Sequence, residues 1–256
     1  MIGAEGAPLR YTLDDYDVSG FLRVAESFGQ DRLGYVVTPN IDHFIFLHED
    51  AAFREYYRHA AYVLLDSKLA AMLFLVLKRR RFAVCRGSDL TVALFHQSIR
   101  PGDNILVVGG QPAQIQMLQD RHPGVILRHY NPPMGFIRDT REVENLLEWV
   151  EASGPFRFCF VAVGAPRQEQ VAAALMARGR ARGLILCVGG AIDFMTGAQK
   201  RAPLWMQASG LEWLYRLIRQ PRRLAHRYLV RGPRFFRYLL TDEFAVRPAV
   251  PIRADA

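Results

Sequence analysis

Asp66 stands directly after the apolar run Tyr62-Val63-Leu64-Leu65 and directly before an apolar helical stretch. A carboxylate at such a strand end sits at the rim of a cleft, where it can remove a proton from an attacking hydroxyl. The same position also suits a helix N-cap, and position alone leaves both roles open. Polar residues and glycines recur after other apolar runs. Thr38-Pro39-Asn40 leads into Asp42-His43, Gly109-Gly110 into Gln111-Pro112, and Gly189-Gly190 into Asp193, while Gly164-Ala165-Pro166-Arg167-Gln168-Glu169 closes another run. Glycines allow close backbone approach and helix starts offer unpaired N–H groups, so these ends suit a ligand that carries a diphosphate. Neither GxGxxG nor a P-loop occurs. That argues against an ordinary dinucleotide or ATP site, and against a nicotinamide-dependent oxidoreductase.

Metal chemistry finds little support. Asp15-Tyr16-Asp17 has the DxD spacing by which many sugar transferases hold a metal, but it precedes the first core strand and reads as a solvated turn. The seven histidines show neither HxxxH nor HExxH spacing, so no metal site is expected. A GxSxG nucleophile elbow is absent as well. No cofactor is called for.

Positioning these residues requires a sheet. The runs 33–38, 62–65, 105–108, 125–128, 156–163 and 184–188 read as strands, several apolar throughout, as strands buried on both faces should be. Amphipathic stretches lie between them, with starts at Ser88, at Pro112, at Asp139 or Thr140, and at Pro166. This alternation predicts an α/β, Rossmann-like, doubly wound and mostly parallel sheet, with ligands beyond the carboxyl ends of its strands. The expected organisation is a peripheral segment 1–32, a catalytic domain 33–200, a helical appendage 201–240 and a tail 241–256.

The charge is concentrated in that appendage. The 256-residue chain carries a net +8, yet residues 1–199 balance 21 basic against 21 acidic side chains. Residues 200–240 hold ten basic residues and a single acid, Glu212. A partner with negative charge is implied. Leu204, Ala208, Leu211, Tyr215 and Ile218 form one helical stripe expected to pack on the body, leaving Met206, Trp213 and Leu217 for another partner. On a continuous helix Arg216, Arg219, Arg223 and Arg227 would share an arc of about 80°, with Pro221 set against that continuity. Arginines interleaved with Tyr228, Phe235, Phe236 and Tyr238 suit an anionic membrane surface and also the stacking of nucleic-acid bases. Lys78-Arg79-Arg80-Arg81 is a second basic cluster that could join the same surface. Cys85, Cys159 and Cys187 lie in or beside apolar runs and read as buried hydrophobes in a reducing compartment. With no signal-like N-terminus and no apolar stretch of 18 residues, the chain is expected in the cytosol or lying on a membrane.

The residues also carry a family resemblance. Asp193-Phe194, Gly197, Arg201-Ala202-Pro203-Leu204-Trp205-Met206-Gln207, Gly210-Leu211-Glu212-Trp213-Leu214-Tyr215-Arg216-Leu217, Pro221-Arg222-Arg223-Leu224 and Arg227-Tyr228 together resemble the signature of the WecG/TagA/CpsF glycosyltransferases. Thr38-Pro39-Asn40-Ile41-Asp42-His43, Gly87-Ser88-Asp89-Leu90, Gly109-Gly110, Pro132-Pro133-Met134-Gly135 and the Gly164–Glu169 motif extend the likeness over about residues 33–238. The resemblance implies inverting, metal-independent transfer of a hexose-type sugar from a UDP-sugar to a polyprenyl-diphosphate-linked sugar. It implies a setting on the cytoplasmic face of the bacterial inner membrane, in cell-surface glycan synthesis. By the same resemblance Asp66 is the base, and Thr38, Asn40 and Gln168 contact substrate. Gly109, Gly110, Gly189, Gly190 and Asp193 are expected beside them. Arg216, Arg222, Arg223 and Arg227, with Arg219 among them, are expected at the lipid diphosphate or the membrane. Two departures stand out. Asp66-Ser67-Lys68-Leu69 replaces the common DGxG and looks more like members from exopolysaccharide clusters. Val84 occupies a position where many members carry arginine; Arg86 and Arg81 lie nearby, and Arg86 is taken as the candidate at the substrate. The implied partners are the two sugar substrates and an anionic membrane, not nucleic acid, and a homo-oligomer is compatible with all of this.

Overall fold

The computed structural model describes residues 9–249, apart from the side chain of Arg223. The chain opens with β1 (Arg10–Asp14) and α1 (Val18–Glu26). Strands and helices then alternate: β2 (Leu33–Val37), α2 (Ile41–Glu49), α3 (Ala51–Arg58), β3 (Tyr62–Val63), α4 (Lys68–Lys78) and α5 (Gly87–Ala93). The second half continues with β4 (Asn104–Val108), α6 (Pro112–Arg121), β5 (Ile126–Tyr130), α7 (Thr140–Ala152), β6 (Phe158–Val161), α8 (Arg167–Arg178), β7 (Gly183–Cys187) and α9 (Ala191–Thr196). Four short helices follow, α10 (Leu204–Ala208), α11 (Glu212–Arg219), α12 (Pro221–Ala225) and α13 (Arg234–Thr241), and then β8 (Glu243–Arg247).

Six strands form one parallel sheet in the order β3-β2-β7-β6-β4-β5. Every strand read from the sequence is present, with ends moved by a few residues. Alternate side chains feed two cores. Val36, Ile105, Val107, Phe160 and Leu186 meet α1 and α5 on one face, while Val37, Leu106, Val108, Val161 and Cys187 meet α7 and α8 on the other. This is the two-sided burial that the uniformly apolar runs predict. The three cysteines are free and buried. Because β2 leads to one edge of the sheet and β4 to the other, the ends of the central strands open onto a shared crevice.

The chain ends differ from expectation. The described part of the 1–32 segment is not merely peripheral: Phe21, Leu22, Val24 and Ala25 of α1 are buried in the core. The 241–256 tail contains β8, which pairs in parallel with β1 from Arg10 opposite Glu243 to Asp14 opposite Arg247. Leu13 and Phe244 from this pair join Phe44 of α2, Phe74 of α4 and Phe235 of α13 in a third core. The appendage is thus anchored by the sheet at one end and by this two-stranded clasp at the other. Short strands with charged ends, paired across more than two hundred residues, leave almost no local pattern to read.

The appendage stripe is also rearranged. Met206 is buried, whereas Leu204 is 82% and Ile218 69% exposed. The cause is local. Gly210 takes a left-handed turn (φ 74°) after α10, and Gln220-Pro221 breaks the path between α11 and α12, so no single helical stripe or arginine arc runs through 204–227. No helix among the described residues is long and apolar enough to cross a membrane.

Candidate active site

Asp66 follows the buried pair Leu64 and Leu65 at the end of β3. The cap of α4 is the next residue, Ser67, whose hydroxyl accepts from the Ala70 N–H at 3.1 Å. Asp66 is therefore free of capping duty. Its own N–H donates to the Pro39 carbonyl at 2.8 Å, and its carboxylate accepts from the Gly87 N–H. Burial pushes this carboxyl up to about 8; Arg86 opposes the rise, while Glu212 and Asp89 add to it. A carboxylate at about 8 has a proton affinity matched to general-base work near neutral pH. Gly87 packs so closely that a Cβ there would lie 3.1 Å from Thr38 Oγ1 and 3.5 Å from Val188 Cα. A side chain at Gly87 would press on Thr38, so glycine eases the close approach of the start of α5 to the end of β2. Ser88, expected as the cap, lies inside α5, and Arg86 holds the cap position without a side-chain capping bond.

The ends of β2, β6 and β7 are joined by a chain of buried polar contacts. Thr38 Oγ1 donates to the Cys187 carbonyl at 2.9 Å. Asn40 caps α2 by accepting from the Asp42 N–H at 3.0 Å, and His43 Nδ1 accepts from the Asn40 N–H at 3.3 Å. His43 Nε2 lies 3.3 Å from Glu169 Oε1, which accepts from Gln168 Nε2 at 2.8 Å. Gln168 Oε1 in turn accepts from the Gly189 N–H at 2.8 Å. Glu169 is fully buried and Gln168 nearly so. Such a network fixes three strand-end loops relative to one another. Its central members, His43 and Glu169, belong to motifs quoted from the sequence but drew no attention as individual residues.

On the far side of the crevice, Gln114 Nε2 donates to Asp193 Oδ1 at 2.9 Å, tying the start of α6 to α9. Several N–H groups expected at a phosphate are already engaged. Gly109 donates to the Tyr130 carbonyl at 2.8 Å, Gln111 to Gln114 Oε1 at 2.7 Å, and Gly189 to Gln168. The glycine turns therefore shape the crevice more than they supply free donors.

Cationic side chains line the remaining wall. Arg86 pairs with Asp89 at 2.6 Å and with Glu212 at 3.0 Å, and Arg201 pairs with Asp89 as well. Arg201 and Arg216 both lie over the Phe194 ring, at 5.5 and 5.7 Å. Arg216 Nε is buried with no hydrogen-bond partner among the described residues. It borders a cleft of about 550 Å³ shared with Gly197, Lys200, Tyr215 and Arg219.

A family model described as glycosyl transferase WecG/TagA/CpsF family matches residues 7–248. The chain belongs to this family. The match extends beyond the 33–238 seen by resemblance and takes in both β1 and β8. The residues expected at the site of this WecG/TagA/CpsF glycosyltransferase sort by position. Thr38 and Asn40 follow β2, Asp66 follows β3, Gln168 begins α8 after β6, Gly189 follows β7, and Arg86 immediately precedes α5. Gly109 and Gly110 follow β4, Gly190 and Asp193 follow β7, and Arg216 lies over the ring of Phe194, next to Asp193. Arg219 and Arg222 are exposed. Arg227 instead pairs with Asp42 of α2, and the Arg223 side chain falls outside the described residues. The DxD carboxylates are structural: Asp17 caps α1 and Asp15 accepts from the Ala83 N–H at 2.8 Å. Among the described residues no group of three His, Cys, Asp or Glu side chains could hold a metal ion.

Sequence reasoning passed over Glu212 as a contact, although a lone acid among ten basic residues was a visible signal.

Proposed function

We propose that this glycosyltransferase moves a hexose-type sugar from a UDP-sugar to a polyprenyl-diphosphate-linked sugar, with inversion and without a metal. The observation that carries the reading is Asp66, a carboxylate just past the end of β3, released from capping and raised to about 8. The acceptor hydroxyl attacks the anomeric carbon from the face opposite UDP while Asp66 takes its proton. The bond from that carbon to the diphosphate oxygen breaks, and UDP leaves with the electron pair. General-base help of this kind is worth about 10²–10⁴ in rate.

The leaving diphosphate needs positive charge. Arg216, Lys200 and Arg219 around the 550 Å³ cleft bring positive charge suited to that task. Exposed apolar side chains on the same appendage, Trp205, Leu229, Val230 and Phe236, together with Arg222, suit a peripheral seat on an anionic membrane. A nucleic-acid reading loses ground here. Arg227 is occupied by Asp42, while Arg231 and Arg234 lie on Glu49, so they brace the appendage on α2 instead of forming an open basic stripe.

The test is a panel of UDP-sugars with a short-chain lipid-diphosphate-linked sugar, following UDP release and the product's anomeric configuration by NMR. UDP release that depends on the acceptor and gives an inverted anomer is expected. A retained anomer, or no UDP released from any donor, contradicts the reading.

A further inference from the structure

The one acid of the basic segment is set against the active site. Glu212 Oε2 accepts from Arg86 Nη1 at 3.0 Å, while Asp89 Oδ2 accepts from Arg86 Nε at 2.6 Å. Arg201 steadies Asp89 through its other oxygen. None of the Arg86, Asp89 and Glu212 side chains is more than 26% exposed, so these pairs are shielded from salt far more than surface ion pairs. Arg86 is also the cation that acts on Asp66. A guanidinium free to turn would take a neighbouring carboxylate with two parallel N–H bonds, among the strongest pairings available to it. Such a pair would occupy the oxygens that the acceptor hydroxyl needs.

Arg86 precedes α5 on the body and Glu212 begins α11 on the appendage, so the pair forms only where the two meet. We propose that Glu212 is a positioning residue that holds the Arg86 fork off Asp66, so that the base stands free when the appendage is seated. The role rests on Asp66 being the base. An appendage lifted from the body would return Arg86 to Asp66 and occupy the carboxylate. The device thereby reports appendage docking to the reacting groups.

The groups facing Asp66 are few. Arg86 and Asp89 come from the α5 side and Glu212 from α11. Tyr57 of α3 and Cys85 also face it, and burial pushes both upward, so they stay neutral across the working range.

The experiment titrates full-length protein carrying ¹³C at the aspartate carboxyls, with the Asp66 signal identified by its loss in Asp66→Asn. In Glu212→Gln the Asp66 midpoint is expected to fall by about one to three pH units, the range for a cation moving alongside a carboxylate. In an Arg86→Gln background the same substitution should move it by less than half as much. Glu212→Asp, which keeps the charge on a shorter arm, should recover part of the wild-type midpoint. An unchanged midpoint in Glu212→Gln overturns the proposal, and so do equal shifts in both backgrounds, which would mean that Glu212 acts by its own charge alone. The titration needs no turnover. An Asp66→Asn enzyme that still transferred sugar would therefore remove the base while leaving the Glu212 result to be judged separately.

Discussion

The rise of Asp66 to about 8 makes a quantitative demand on the pH dependence of turnover. The perturbation is pH itself, varied from 6 to 9.5 at constant ionic strength. A group with that midpoint is about one-tenth ionised at pH 7 and about nine-tenths ionised at pH 9. A general base must be ionised to act, so kcat/KM should rise about tenfold over those two units, with a slope of one below pH 8 and a plateau above it. The cause can be tested as well as the position. Burial raises the carboxyl and Arg86 opposes it, so Arg86→Gln should move the limb to still higher pH while Glu212→Gln moves it lower. The assay is UDP release under limiting donor, because kcat/KM then reports the free enzyme. A profile flat from pH 6 to 9, as a base titrating in the ordinary aspartate range around 4 would give, would refute the reasoning.

Further outcomes follow from the same geometry. Asp66 has a higher pKa folded than unfolded, so the native state holds a proton that the unfolded chain has lost between about pH 4 and 8. Stability therefore falls as pH rises through that window, and Asp66→Asn should gain a few kcal/mol over wild type at pH 8 and almost nothing at pH 4, read by urea unfolding. Glu169→Ala removes the buried partner of Gln168 Nε2 and of His43 Nε2, at a cost of about 1–3 kcal/mol in urea unfolding, and should weaken UDP binding in calorimetry by loosening the Gly189 turn. Wild-type protein should be retained on anionic but not neutral liposomes. Replacing the exposed Arg219 and Arg222 with alanine should weaken that retention about thirtyfold, at about 1 kcal/mol per basic residue.

The sheet was readable because its strands are buried on both faces, so runs such as Ile105-Leu106-Val107-Val108 announce themselves. The place of Asp66 at a strand end was readable for a related reason, but that Ser67 and not Asp66 caps α4 was not, because position alone suits either. What the sequence hid depends on distance along the chain. Leu13 and Phe244 lie in short strands with charged ends, and nothing local in either says that they share a core. The appendage stripe failed because Gly210 and Gln220-Pro221 reset the helical phase, which a period of 3.6 residues cannot anticipate. The resemblance put Arg227 at the lipid diphosphate or the membrane, and in the structure it pairs with Asp42. Whether a cation meets a ligand or an internal acid depends on which surfaces fold together.

The central claim is that Asp66 is the base, and one comparison tests it most directly: sugar transfer and UDP affinity measured side by side for wild type and Asp66→Asn. The substitution keeps the size of the side chain and removes only its ability to take a proton. Transfer should fall by about 10²–10⁴-fold while the UDP dissociation constant stays within a few-fold of wild type. Transfer within tenfold of wild type, with UDP binding intact, would contradict the account.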